Sequence, residues 1–216
     1  RFRWCPPGDF MMGSPESEKD RLSWETQHRV SLTRGFWMLE TEVTQEMWRS
    51  VMGNNPSSFA GARNPVENVS WNDCQEFCTK LKQKLGITIG LPTEAQWEYA
   101  CRAGTTGPYG GSGDLDDMGW YYDNSGSGTH QVGTKQANAW GLYDMHGNVY
   151  EWCQDWYGSY DESPTSDPSG PSSGSRRVVR GGSWFNGAKL CRSADRVSYS
   201  PELRIDFLGF RVCSEQ

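Results

Sequence analysis

The chain has 216 residues, 35% of them hydrophobic and 13% aromatic, with eleven tryptophans. A chain of this size and apolar content buries a sizeable core, which excludes intrinsic disorder. No run approaches the roughly 18 apolar residues of a membrane helix, and a net charge of −6 offers no basic face to a phosphate backbone, which excludes nucleic acid as a partner.

The sequence opens at Arg1 without a charged-then-apolar leader, so any targeting segment or anchor is expected to lie outside it. Three helices are expected in the first half. Thr44 caps QEMWRSVM, in which Met47, Trp48 and Val51 share a face and Gly53 is the stop. Ser70 and Asp73 form a capping box for a helix whose apolar stripe is Trp71, Cys74, Phe77, Cys78, Leu81 and Leu85. Thr93 and Gln96 do the same for a third helix, with Trp97, Ala100 and Cys101 on one side and Gly104 as its C-cap. Cys74 and Cys78, at i and i+4, read as small buried residues rather than a metal or redox pair.

Beyond residue 105 glycine, serine and asparagine interrupt the chain every few residues. The apolar pieces at 120–122, 142–145, 149–153, 177–184 and 208–212 read as short strands between long ordered loops. Residues 159–175 are a polar Pro/Ser/Gly segment expected to be mobile. No C-x-x-C pair occurs and the three histidines are scattered, which argues against zinc. The expected architecture is a single α+β domain over 1–216, with two to three helices, short strands and much irregular structure.

His146, in DMHGN, reads as a hydrogen-bonded structural histidine. Asp144 and Glu151, with carbonyls from Gly147 and Val149, are hard oxygen donors suited to a structural Ca²⁺. The alternative is that Glu151 and Asp155 neutralise partly buried arginines, the candidates being Arg180, Arg192, Arg196 and Arg211.

The ordered blocks WCPPGDFMMGS (4–14), HRVSLTRGFWMLETEVTQEMW (28–48), NPVENVSWNDCQEFC (64–78), LPTEAQWEYACRAG (91–104), NAWGLYDMHGNVYEWCQDWY (138–157), RVVRGGSW (177–184), RSADR (192–196) and LGFRV (208–212) resemble the formylglycine-generating, sulfatase-modifying family. The resemblance covers essentially the whole chain. It implies a C-type lectin-like fold, a calcium loop at Asp144, Gly147, Val149 and Glu151, and a disulfide between the third helix and the tail, here Cys101 with Cys213. It also implies a redox cysteine pair, the first two residues past the GGS-aromatic block and the second five further on. Asn186 occupies the first of those positions and Cys191 the second, so the thiolate pair of a copper oxidase is incomplete.

Residues 185–207, FNGAKLCRSADRVSYSPELRIDF, fit neither a helical nor a strand period, yet they carry many large apolar groups. Their mixture of aromatic and aliphatic anchors with Ser, Asp and Asn is that of a recognition surface. The frame around them resembles the variable region of diversity-generating retroelement proteins. Most residue types between Trp184 and Leu208 are reachable from an AAC codon by changing its adenines; Lys189 is not.

The resulting expectation is a non-catalytic, exported, cell-surface protein that requires no cofactor. Phe185, Leu190, Tyr199, Leu203, Ile205 and Phe207 would give a protein ligand apolar area. Asn186, Lys189, Asp195, Ser198 and Asp206 would select polar groups, with Gly187 and Val197 on the same surface. Trp184, Arg192, Ala194, Arg196, Arg204, Leu208, Phe210 and Arg211 would form the frame. The alternatives are an oxidative enzyme using Cys191, a structural interaction domain, and an ordinary loop at 185–207 packed on its own domain.

Overall fold

The computed structural model describes residues 1–215. Four strands that the composition does not announce precede the first helix: β1 (Phe2–Cys5), β2 (Gly8–Met12), β3 (His28–Leu32) and β4 (Phe36–Leu39). Their alternating stretches are only four or five residues long, too short for period 2 to stand out from chance. The expected helices follow as α1 (Gln45–Met52), α2 (Trp71–Leu85) and α3 (Glu94–Arg102).

The capping chemistry forms as read. Thr44 Oγ1 accepts the Met47 N–H, and both capping boxes close, Ser70 with Asp73 and Thr93 with Gln96. Three details differ. α3 ends at Ala103 in the left-handed region rather than at Gly104. Leu85 and Met47 are exposed, because the hydrophobic cluster beneath takes Trp71, Cys74, Phe77, Cys78 and Leu81 of α2 and Trp48, Val51 and Met52 of α1 but does not extend to them. α3 has no solvent side at all: its nine residues are all buried, packed against strands in front and behind.

The rest of the chain supplies α4 (Leu115–Met118), β5 (Tyr150–Trp156), β6 (Thr165–Ser166), β7 (Arg177–Arg180), a 3₁₀ turn (Ala188–Leu190), β8 (Arg196–Tyr199), β9 (Leu208–Gly209) and β10 (Cys213–Glu215). They complete three small sheets, ordered β1-β4-β10, β2-β3-β6 and β8-β7-β5-β9. Residues 120–122 and 142–145 are not strands. Their amides leave any ladder instead: Tyr121 and Leu142 donate to the side chains of Asn124 and Asn138, and Tyr122 and Tyr143 to the carbonyls of Asn186 and Glu40. The segment expected to be mobile is tied down: β6 pairs in parallel with β3, and the Asp167 carboxylate accepts the Thr33 N–H at 2.8 Å.

Two large apolar clusters flank the central strands. One gathers Met12, Phe36, Met38, Trp97, Leu142 and Val178, the other Trp48, Phe77, Trp152, Val179, Leu208 and Phe210. Adjacent residues of β7 thus face opposite clusters, as the pleat requires.

Candidate ligand-binding surface

The ends of the 185–207 stretch are fixed by β7 and β9, both paired to β5. Tyr150 opposes Leu208 in the parallel pair β5–β9 and donates its N–H to the Phe207 carbonyl, so the Phe207 ring lies beside Tyr150 and Tyr199. Phe185 returns to the same place and stacks on Phe207, with centroids 5.9 Å apart and planes 8° apart. The two ends of the stretch therefore meet in one aromatic patch.

Phe185 is 55% exposed, and Gly187 and Lys189 are exposed. Asn186, Leu190, Val197, Ser198, Tyr199, Leu203, Ile205, Asp206 and Phe207 are half-buried, presenting one side to solvent. Five of them, Val197, Tyr199, Leu203, Ile205 and Phe207, rest their other side on the second core cluster. They are supported contact groups rather than free ones.

Asp195 does not belong to this surface. It is fully buried, with neither carboxylate oxygen hydrogen-bonded, and its nearest counter-charge is Arg192 at 4.0 Å. Burial pushes its carboxyl from 3.8 up to about 7. Its position follows from the frame, since the Arg192–Arg196 turn that carries it is pinned from below.

That pinning uses glutamates distant in sequence. Arg192 donates to Glu25 at 2.6 and 2.8 Å and to Glu18 at 2.7 Å. Arg196 makes a fork on Glu94 at 2.7 Å twice, and Arg180 bonds Glu98. Arg211 makes the same fork on Glu151 at 2.6 Å twice. Of the two carboxylates expected to neutralise arginines, Glu151 does so, whereas Asp155 accepts the Glu94 N–H at the start of α3. Ala194, Leu208, Phe210 and Arg211 are buried as the frame requires and Trp184 is half-buried. Arg204 is an exposed frame member, paired with Asp73 on α2.

Two surface residues escape sequence reasoning. Tyr122, 64% exposed, donates its N–H to the Asn186 carbonyl and so is tied to the start of the stretch. Phe59 meets Trp184 edge-on at 5.1 Å. Both come from loops without periodicity, and the 120–122 run reads as a strand, so no local signal marks either.

The implied calcium loop turns tightly, with Asp144, Gly147 and Asn148 at positive φ. Glu151 is unavailable to a cation, because Arg211 and the Trp97 indole N–H take its oxygens. Val149 is buried, and the Gly147 N–H is held by the Gly181 carbonyl. Beside the loop, however, Asp144 Oδ1 and both oxygens of Glu42 are buried without a partner. Burial raises the Glu42 and Asp144 carboxyls, and the charges of Asp144 and Glu151 raise Glu42 further. Three orphaned oxygens of this kind fit a hard cation, with Glu42 in place of Glu151. Among the described residues no three acidic, histidine or cysteine side chains converge on one point, so Asp144, Glu42 and backbone carbonyls of the loop would hold it.

The cysteines are buried. Cys101 is a free thiol facing Ser193 Oγ and His146 Nε2, both at 3.6 Å, so the expected bridge to Cys213 is not formed. His146 is structural, as read: Nδ1 donates to the Cys191 carbonyl at 2.8 Å and Nε2 accepts the Gly110 N–H at 2.9 Å. Burial pushes the Cys101 thiol up to about 12 and His146 down to about 4, which keeps both neutral. Cys191 lies beneath the 3₁₀ turn with its thiol raised by burial. A raised, inaccessible thiol, with Asn186 at the position of the other cysteine, does not fit a copper-thiolate centre.

The model of the sulfatase-modifying factor enzyme 1-like domain matches residues 2–216. The chain belongs to that family. Relatives include the formylglycine-generating enzymes of Streptomyces coelicolor, 35% identical over 78% of this chain, and of Mus musculus, 34% identical over 87%. This chain spans 58% and 53% of those two proteins. Among solved structures, Treponema denticola variable protein 1 superposes with a TM-score of 0.93 at 35% identity, covering 100% of this chain and 95% of that one. A Major Tropism Determinant variant, at 14% identity and a TM-score of 0.51, shares the fold. The family match spans the frame and the 185–207 stretch alike, so the fold is common property and function resides in what the frame carries.

Proposed function

We propose that the protein is a non-catalytic ligand-binding module, displayed outside the cell, whose 185–207 stretch is the recognition surface for a protein ligand. One observation carries this reading: the two ends of the stretch converge in an aromatic patch open to solvent, while buried arginine–glutamate pairs hold the chain between them. Large rigid rings backed by a packed core supply contact area at low entropic cost. Likeness to a variable protein supports diversification of this stretch. Asn186 and the buried Cys191 speak against the oxidase chemistry of the enzymes in the family. Binding of Ca²⁺ at Asp144 and Glu42 belongs to the same reading as a structural feature.

The direct test grafts a different 185–207 sequence, retaining Arg192–Arg196 and Arg204. Unchanged folding with altered ligand choice is expected, and loss of folding would show the stretch to be core. Incubation with a C-x-P-x-R peptide, copper and oxygen separates the enzymatic alternative, because conversion of the peptide cysteine would overturn the non-catalytic reading. In the genome, a reverse transcriptase and a near-copy of the 3′ end differing only at adenines are expected nearby.

A further inference from the structure

On another side of the molecule, the loop over residues 158–171 roofs a cavity of about 200 Å³. Its walls come from β3, the start of α3, the end of β5 and the start of β8, which contribute His28, Glu94, Asp155 and Arg196; Tyr160 and Asp161 descend from the roof. The cationic and backbone donors at its inner end are already engaged. Arg196 gives Nε and Nη2 to Glu94 and Nη1 to the Gly158 carbonyl, and the Glu94 N–H goes to Asp155 Oδ2.

The acceptors are in the opposite state. Asp155 is more than nine-tenths buried and forms no ion pair among the described residues, since Arg196 is given to Glu94. Its Oδ1 faces Gly170, where a Cβ would lie 3.2 Å away, so glycine keeps that oxygen open. The Tyr160 hydroxyl is buried without a hydrogen-bond partner. His28 turns Nδ1 to the Thr26 carbonyl at 3.0 Å, which leaves Nε2 of the neutral ring as an acceptor. A cavity whose buried carboxylate forms no ion pair among the described residues, beside a hydroxyl and an imidazole nitrogen able to accept, favours a cationic ligand that carries N–H groups.

We propose that this cavity binds a small primary ammonium, its N–H donors meeting Asp155 Oδ1, Tyr160 Oη and His28 Nε2. The site is independent of the display reading, for it shares no residue with the 185–207 surface except the frame residue Arg196. The pH dependence follows from the walls. Burial and Glu94 push the Asp155 carboxyl up to about 7, against the Glu94 N–H and the charge of Arg196. Arg177 on β7, His28 on β3 and Asp161 in the loop are the other titratable groups around it. Affinity should therefore be level above about pH 7 and fall toward tenfold per pH unit below it.

Calorimetry and thermal unfolding of the whole chain at about pH 8 would compare ethylammonium, tetramethylammonium and sodium chlorides at equal ionic strength. Saturable binding of ethylammonium with a raised Tm is expected, and none for tetramethylammonium, which has charge but no N–H. Asp155→Asn keeps the Glu94 N–H acceptor and should weaken binding more than about tenfold; Tyr160→Phe keeps the ring contacts with Arg196 and His28 and should weaken it several-fold. Absence of saturable ethylammonium binding, equal binding of tetramethylammonium, or undiminished binding in Asp155→Asn would overturn the proposal. If Asp155→Asn does not fold, undiminished binding by Tyr160→Phe overturns it instead.

Discussion

Replacing Asp195 by Asn tests where the frame ends and the recognition surface begins. The Asp195 carboxyl is fully buried with two unpartnered oxygens, and burial lifts it from 3.8 to about 7. In the unfolded chain the group ionises near its ordinary value, so below that pH it is protonated in both states and contributes nothing. As pH rises from about 4 to about 7 the unfolded chain releases a proton that the folded chain keeps, and stability is lost across that window. At about 1.36 kcal/mol for each pH unit separating the two values, the loss reaches roughly 4 kcal/mol at its upper bound, and about 2–4 kcal/mol once relaxation around a buried charge is allowed. Asn has no proton to lose, so the gain of Asp195→Asn over the parent should be small near pH 4 and open up toward pH 8. At about 2–4 °C per kcal/mol for a chain of this size, the difference in Tm between variant and parent should widen by roughly 5–15 °C over that interval. Thermal unfolding monitored by circular dichroism at both pH values reads it directly. A variant that tracks the parent at every pH would mean that water or a ligand reaches Asp195, and would return it to the recognition surface.

Three further outcomes follow from the same geometry. Glu151→Ala leaves the Arg211 guanidinium buried and unpaired and should cost about 3–5 kcal/mol in urea unfolding; a loss under about 1 kcal/mol would contradict the fork described here. Phe185→Ala should cost less than about 1 kcal/mol, because over half of that side chain is already in water, whereas Phe210→Ala, at the centre of its cluster, should cost about 3–5 kcal/mol; similar losses at the two sites would show that Phe185 is core. Cys101 and Cys191, buried and raised, should resist maleimide labelling in the native protein and react after denaturation, as read by peptide mass spectrometry; rapid native labelling of Cys191 would reopen the oxidase alternative.

The sequence by itself determined the first three helices, though not the short α4, through caps that operate within one turn: Thr44, Ser70 with Asp73 and Thr93 with Gln96 need only neighbours three residues away. It also determined the family and the frame, because the ordered blocks place Trp184, Arg192, Arg196 and Arg211 whatever lies between them. Only the tertiary structure decided which residues share a surface. Strands of four or five residues carry too little periodicity to be seen, and an arginine does not specify its carboxylate: Arg192 found Glu25 and Glu18, not Glu151 or Asp155. Tyr122 was tied to Asn186, Phe59 came against Trp184, Asp195 left the recognition surface, and Glu42 came to lie near Asp144, each through contacts between segments far apart in the chain, where local chemistry has no reach.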